Sequence, residues 1–402
     1  MARLLENISK QLLSKEGVPV PKFFVATTPE EAKKAAQDIG GEVVIKALVP
    51  IGKRKKAGII KFAMNPEETA EFAFELLGKS VQFFPINKVL VEEKINIKEE
   101  LYVSITIDKN IQLPIIIASI VGGIDIEEMS KKYPDKISKT YVDPVIGLPD
   151  YKSREIWSGL GITGKLLRQY SNVLGILYKV FLKYDCTILE VNPLVLTKER
   201  GIQAAAVVMS VDDLAVYRQK AISEHIELGS ERSWKPLTNI EKQVVAVNEA
   251  DPYRGTARYT EMDGGEVGFM CGGGGASLLL FDTLVKLGAQ PANYTEFGGN
   301  PPERKVYGLA KAIISKPGVK CLFVCGNITN NTQVDEVARG IVRAVKDSGK
   351  DPKKYPILVR YAGVKDEIGK QIIEEEGIEY HGDDITMVEA ARLMVGKLRA
   401  YS

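Results

Sequence analysis

With 402 residues, 45% of them apolar and 26% charged, the sequence is that of a soluble globular protein with core enough for two or three domains. A net charge of +2 gives no general attraction to nucleic acid or to a membrane surface, and no apolar run is long enough to span a bilayer. The first residues carry no signal-like hydrophobic segment, so the expected location is the cytoplasm. The four cysteines, Cys186, Cys271, Cys321 and Cys325, stand in apolar strand-like runs without a CxxC pair. That pattern predicts buried, reduced thiols. With His225 and His381 as the only histidines, a histidine-rich metal site is excluded.

Leu4, Leu5, Ile8, Leu12 and Leu13 form a helical stripe ended by Gly17. A short strand at 23–26 leads to Thr27-Thr28-Pro29-Glu30-Glu31, which has a hydroxyl N-cap, proline in the first turn and acids behind it. The strand Val43-Val44-Ile45-Lys46 follows, then a basic glycine loop, Gly52-Lys53-Arg54-Lys55-Lys56-Ala57-Gly58. Its glycines let the backbone bend close to a ligand and its cations suit a polyphosphate; a solvated hairpin tip is the plainer alternative. The loop is not a Walker A sequence. Asn65-Pro66-Glu67-Glu68 starts another capped helix, and Lys88-Val89-Leu90-Val91-Glu92-Glu93 is a strand ending in two acids. Strands at 99–108 and 115–120, a Gly122-Gly123 turn and a largely helical stretch over 152–184 come next.

Thr187 to Leu196 reads as a strand, and alternation places Glu190 and Asn192 on one face. A carboxylate and an amide between apolar neighbours need a partner if buried, and a hard cation such as Mg²⁺ is one. An exposed edge strand is the alternative, with Pro193 at its end. Ile202 to Met209 is its expected hairpin partner. Residues 221–262 lack periodicity and are expected to be a linker with some helix.

In order and spacing, Val44-Ile45-Lys46, Gly52 to Gly58, Val91-Glu92, Glu100-Leu101-Tyr102, Gly122 to Glu127 and Leu189-Glu190-Val191-Asn192-Pro193-Leu194 resemble the ATP-grasp half of succinyl-CoA synthetase β subunits, with ATP-citrate lyase and citryl-CoA synthetase as related members. The resemblance implies that Lys46, Gly52, Lys53 and Arg54 contact ATP phosphates. It places Glu92 at a hinge near the adenine and Glu100 near the ribose. It makes Asn192 a Mg²⁺ ligand and sets Glu190 beside both the metal and the transferred phosphate, as the catalytic residue. Two departures stand out. Lys53 and Lys55 occupy positions that are usually glycine, and Ala206 stands where a second metal-binding aspartate is usual, with Asp212 or Asp213 as conceivable substitutes.

From about residue 263 strands and helices alternate, which predicts a parallel flavodoxin-like sheet. Gly272-Gly273-Gly274-Gly275 and Gly326 to Thr332 each connect a strand to a helix. Two helix N-termini are thereby expected at the carboxyl edge, where such folds bind anions. This half resembles the CoA-ligase domain of the same β subunits, and its Gly273 to Ser277, Asn293 to Phe297 and Asn327 to Thr332 stretches are most similar to the citrate branch. The resemblance makes Gly273, Gly274, Gly275, Asn330 and Thr332 substrate-binding residues. Tyr361 departs from it, standing where the citrate branch tends to have a second arginine after Arg360.

The expectation is an α/β chain with an ATP-grasp domain over 1–220, a linker over 221–262 and a flavodoxin-like CoA-ligase domain over 263–402. The resemblance implies the β-type subunit of an ADP-forming acyl-CoA synthetase using ATP and Mg²⁺. An α-type partner would carry a phosphohistidine and most of the CoA site in a hetero-oligomer. Citrate is the expected acid, with succinate or malate as alternatives, placing the reaction in or beside the tricarboxylic acid cycle. Ala206 also motivates a different class, a non-catalytic regulatory subunit of the same fold. Neither histidine has the glycine-rich setting of the phosphorylated one, so the chain would be half of an enzyme.

Overall fold

The computed structural model describes residues 2–51, 54, 57–81, 84–124, 126–225 and 236–401. The chain divides into two compact units, Met1–Pro236 and Leu237–Ser402. The first opens with β1 (Ala2–Arg3), α1 (Glu6–Lys15), β2 (Phe23–Ala26), α2 (Pro29–Ile39), β3 (Val43–Ala47), β4 (Ile60–Ala63) and α3 (Pro66–Leu76). Short strands β5 (Ser80–Val81) and β6 (Phe84–Pro85) pair with each other, and β7 (Val89–Glu93) follows. Strands β2, β7, β3 and β4 make an antiparallel sheet in that order. The helices over it start where the sequence predicts. Thr28 Oγ1 accepts from the Glu31 N–H at 3.2 Å and Asn65 Oδ1 from the Glu68 N–H at 2.8 Å, each with proline in the first turn. Ala32, Ala35 and Ala36 then pack closely on Ile45 and Val91.

The rest of this unit is β8 (Ile97–Ile107), β9 (Pro114–Ser119), α4 (Ile126–Lys132), β10 (Ile137–Tyr141), α5 (Asp150–Gly159), α6 (Gly164–Lys183), β11 (Cys186–Thr197), β12 (Gly201–Ala204), β13 (Val207–Val211) and α7 (Lys220–Ser223). An antiparallel sheet runs β1-β13-β11-β8-β9-β10, with β12 paired to the far end of β11. The expected single hairpin partner is therefore two strands. The break at Ala205–Ala206 keeps Ala205 N–H on Pro193 O at 3.1 Å and gives Ala206 O to the Asn192 N–H at 3.0 Å. Leu189 and Val191 face the core under Tyr170, Leu174, Leu177 and Phe181. Period-two alternation turns Glu190 to the other side.

The second unit holds α8 (Asn239–Glu249), β14 (Thr256–Glu261), β15 (Val267–Gly272), α9 (Gly274–Lys286), β16 (Asn293–Gly298), α10 (Glu303–Ser315), β17 (Cys321–Gln333), α11 (Val334–Asp347), β18 (Ile357–Val364), α12 (Asp366–Glu375), β19 (Glu379–His381) and α13 (Met387–Tyr401). The sheet order is β14-β16-β15-β17-β18-β19. The last five are parallel to one another and follow the flavodoxin order 2-1-3-4-5.

Residues 221–262 are not a linker throughout. Helix α8 begins with a reciprocal capping box between Thr238 and Glu241, and β14 is an antiparallel edge strand on β16. The sequence hides them because β14 alternates exposed and buried residues over only six positions. The turn between them is fixed from outside, by Lys305 Nζ donating to the carbonyls of Asp251, Arg254 and Gly255 at 2.6, 3.0 and 2.7 Å. All four cysteines are buried and unpaired, and burial pushes their thiols upward, to about 12 for Cys271 and Cys321. Among the described residues, no helix is long and apolar enough to cross a membrane.

Candidate functional site

Lys46, next to last in β3, reaches Glu6 of α1 and Glu92 of β7, and it is not alone there. Its Nζ lies 3.1 Å from Glu6 Oε1, 3.0 Å from Glu92 Oε1 and 3.0 Å from the Ala205 carbonyl. Lys10, one turn after Glu6 on α1, reaches the same three groups: Glu6 Oε1 at 3.2 Å, Ala205 O at 2.8 Å, and Glu92 Oε2. Arg54 is ion-paired with Glu6 Oε2. All five groups are buried or nearly so, with side-chain exposures of 0% for Lys10, 2% for Glu6, 4% for Glu92, 7% for Lys46 and 11% for Arg54. Burial alone would push the Glu6 carboxyl up, but Lys46, Lys10 and Arg54 hold it far below the usual carboxylate range. Burial likewise opposes the Lys46 charge, and Glu6 and Glu92 outweigh it, so the lysine is held above its ordinary value. For Lys10 burial and the neighbouring Lys46 prevail, and it is lowered.

On the polar face of β11, Glu190 stands in register with Ser104 of β8 and Val208 of β13. Arg3 links it to the cluster. Burial and Arg54 lower the Arg3 guanidinium, while Glu190 opposes them, so this arginine sits within the field of both. Asn192 holds the turn after β9: its Oδ1 accepts from the Gly123 N–H at 2.8 Å and its Nδ2 donates to Ile124 O at 3.0 Å. That turn needs its glycines. A Cβ on Gly122 would strike the Leu101 backbone, and Gly123 has φ +72° with the Glu100 carboxylate against it. Glu100, Asn192 and the Gly122–Gly123 turn are thereby brought together, with Glu190 beyond them.

Asp212 and Asp213 do not replace the missing aspartate. Asp212 caps the turn after β13 and donates its N–H to Asp185 O, at the Cys186 end of β11. Ala206 lies at the opposite end of the β13 pairing, roughly 20 Å away at the rise of an extended chain. A Mg²⁺ ion here would have the Asn192 amide oxygen and the Glu190 carboxylate as protein ligands. The amide oxygen has a second lone pair beyond the one Gly123 uses. Two hard oxygens fit Mg²⁺, which commonly takes one or two carboxylates and completes its shell with phosphates and water. Among the described residues, no group of three or more His, Cys, Asp and Glu side chains could hold a metal. Gly52 and Lys53, expected on the phosphates, lie outside the described residues. Sequence reading missed Arg3, Glu6 and Lys10. The one available signal for the last two was an i,i+4 acid–base pair inside the apolar stripe of the first helix.

In the second unit, β15 ends beside β17 with Gly272 opposite Gly326, and β17 runs on to Gln333. Tyr361 of β18 fills the space between them: a Cβ on Gly272 would come 2.5 Å from its Oη, and one on Gly326 would strike its ring. The ring stacks on Phe297 at 5.9 Å, and the hydroxyl lies beside the buried Thr332. Arg360, on the opposite face of β18, spends its guanidinium on Ile385 O and Gly326 O at 3.0 and 2.8 Å. Gly273 has φ +95° with the Asn327 amide against it, and Gly274 packs beneath the Glu296 carboxylate. Three of the four consecutive glycines thus have a local reason. Gly275 has open space where a side chain would be. Neither α9 nor α11 has a side-chain N-cap. Of the expected substrate residues, Gly273 to Gly275 lie at the start of α9 and Thr332 lies against Tyr361. Asn330 is exposed on the irregular part of β17.

Comparison with known proteins agrees with this division. Residues 3–196 match the ATP-grasp domain family, and residues 236–392 match the family described as ATP citrate lyase citrate-binding. The chain is 36% identical to the β subunit of an ADP-forming succinate–CoA ligase from Ignicoccus hospitalis, over 97% of this chain and 98% of that protein. It is 35% identical to a GDP-forming succinate–CoA ligase β subunit from Thermus thermophilus, over 98% and 99%. The structure of ATP citrate lyase from Methanothrix soehngenii shares the fold, with a TM-score of 0.80 and 23% identity over 98% of this chain and 99% of that one.

Proposed function

The chain belongs to the family of β-type subunits of ADP-forming acyl-CoA ligases, and from that premise we propose that it is the ATP-using half of a two-subunit enzyme. Mg·ATP would bind in the first unit between Lys46, Arg54 and the Glu190–Asn192 strand. Its terminal phosphate would pass to a histidine of an α-type partner, then to a carboxylic acid, and CoA held mainly by that partner would displace it. The observation that carries the reading is the convergence of Lys46, Arg54 and Glu92 in one buried cluster, with Arg3 joining it electrostatically to Glu190. Phosphoryl transfer asks mainly for placed cations and a metal-holding acid, which this arrangement has. Glu190 would face the transferred phosphate and Asn192 would hold the metal, which when bound offsets phosphate charge.

For the acid we propose citrate, supported by the match of residues 236–392 to a citrate-binding family and by Thr332 and the Gly273–Gly275 helix start at the sheet edge. A second reading, a smaller dicarboxylate such as succinate or malate, is favoured by Tyr361. Its ring fills the edge between Gly272 and Gly326, and the Arg360 guanidinium donates to the carbonyls of Ile385 and Gly326. The test is co-expression with an α-type partner and assay of acyl-CoA formation with citrate, succinate and malate. Activity with citrate supports the first acid, and activity with succinate or malate alone supports the second. Loss of partner-histidine phosphorylation in Glu190→Gln supports the role of the strand. No phosphorylation with the unaltered chain would overturn the enzymatic reading in favour of a regulatory subunit.

A further inference from the structure

The ammonium of Lys46 has three N–H groups and three acceptors within 3.1 Å. It has no proton left for a phosphate unless it gives up a partner. Lys10 meets the same carboxylates and the same carbonyl from the inner side, with no exposed surface at all. The cluster holds two carboxylates, Glu6 and Glu92, against three cations, Lys10, Lys46 and Arg54, so one positive charge is in excess. Lys46 is the cation that can leave. It retains some exposure, whereas Lys10 has none, and its departure leaves Glu92 paired with Lys10 and Glu6 paired with Lys10 and Arg54. Without Lys10 the same departure would strand Glu92 as a buried, unpaired carboxylate, which a protein interior strongly disfavours.

We propose that Glu6 and Lys10 are positioning residues of the nucleotide site: Glu6 holds Lys46 back in the empty state, and Lys10 is the fixed counter-charge that lets Lys46 move to a phosphate. This rests on the nucleotide site proposed above and extends it to two residues of the first helix. It assigns them effects of opposite sign, although they are neighbours in one buried cluster. Lys10→Met leaves two carboxylates with two cations, so the cluster stays neutral but Lys46 is needed in place. Glu6→Gln keeps the shape and removes half the hold on Lys46.

The experiment is calorimetric titration of the full chain with Mg·ATP. Lys10→Met is expected to weaken binding at least tenfold, and Glu6→Gln to tighten it about threefold. In a Glu92→Gln background, where no carboxylate can be stranded at that position, Lys10→Met is expected to change the affinity less than twofold. A purely structural Lys10 would weaken binding in both backgrounds, and that result, or weakening by both Lys10→Met and Glu6→Gln, would overturn the proposal. If Lys10→Met does not fold, Glu6→Gln decides alone: tighter binding supports the proposal and weaker binding overturns it. Failure of the underlying site is separately visible, as an unaltered chain that binds no Mg·ATP or binds it equally well with Lys46→Met.

Discussion

In the first unit the polar site is crowded with buried charge, whereas at the carboxyl edge of the second unit's sheet it is made by leaving side chains out. Glu6, Lys10, Lys46 and Glu92 meet inside about one side chain's width, and each buried side chain is paired with the others. Around Tyr361 the backbone comes close because Gly272 and Gly326 have no Cβ, and a phenol, a threonine and the main chain meet there, with the Arg360 guanidinium held on the Gly326 carbonyl. The first kind of site should fail when a charge is removed, and the second when a methyl is added. Each region can be tested with the perturbation that the other should tolerate.

The largest effect belongs to Glu6. Glu6→Ala leaves Lys10, Lys46 and Arg54 facing Glu92 alone, and breaking a buried pair of this kind costs about 3–5 kcal/mol. Denaturant unfolding monitored by a probe in the first unit should show that loss. The sign with pH follows from the same contacts. Glu6 has a folded pKa below its ordinary 4.5, so the unfolded chain takes up the proton first. Its contribution is complete above pH 4.5 and disappears as pH falls through the folded value. Glu6→Gln should flatten that acid slope. An unchanged slope would mean that the cluster does not hold its charges as described.

Next comes the methyl test. Gly326→Ala would drive a Cβ into the Tyr361 ring. Overpacking of a filled core costs about 1–3 kcal/mol, and Tyr361→Ala in the same chain should recover much of it, because the ring is what the methyl meets. Unfolding of the two single variants and the double variant measures this directly. Additive losses would show that the Tyr361 ring is not what the methyl meets. Transferred to the first unit, a small change such as Ala205→Gly should cost far less, since Ala205 contributes a carbonyl to the cluster.

The sequence made the strands and their order legible where patterning was strong. The parallel second unit, the capped helices at Thr28 and Asn65 and the Glu190–Asn192 face all follow from local periodicity and turn chemistry. It was poorest where a residue's role depends on a distant partner. Glu6 and Lys10 read locally as an ordinary i,i+4 pair on a helix, and only the approach of Lys46, Glu92 and Ala205 from elsewhere makes them a buried cluster. Strand β14 failed for the same reason, because an edge strand held by β16 and by Lys305 needs little pattern of its own. In the glycine run, Gly272, Gly273 and Gly274 answer to Tyr361, to a positive φ and to Glu296, partners that the run itself does not show, while a Cβ on Gly275 would meet nothing within 4 Å.

A smaller effect is expected at Gly275 itself. It lies in the first turn of α9, and a Cβ added there would meet nothing within 4 Å. Gly275→Ala should stabilise the second unit by about 0.4–1 kcal/mol, through reduced freedom of the unfolded chain. If the acid approaches this helix start, the same change should raise the KM for the acid several-fold in the co-expressed pair and leave the KM for ATP unaltered. Greater stability with unaltered kinetics would remove Gly275 from the substrate site.

The smallest effect sharpens the comparison from the other side, because the second unit does carry a charge cluster, near its surface. His381 Nδ1 and Nε2 lie 2.9 Å from Asp384 and from Glu379, with the imidazole 21% and Asp384 59% exposed. Burial opposes its charge, but the two carboxylates outweigh it and raise the imidazole above its ordinary 6.5. A raised folded value gives stability that is complete below pH 6.5 and lost as pH rises through the folded value. After discounting for solvent screening, that is about 0.5 kcal/mol. His381→Asn should remove this pH dependence, read as the difference in unfolding midpoint of the second unit between about pH 6 and pH 8. In about 1 M salt, where the Debye length is about 3 Å, the His381 contribution should vanish, whereas the Glu6 contribution, shielded from solvent, should persist. Equal salt sensitivity at the two places would mean that burial is not what separates them, and the contrast between the units would then have to rest on glycine alone.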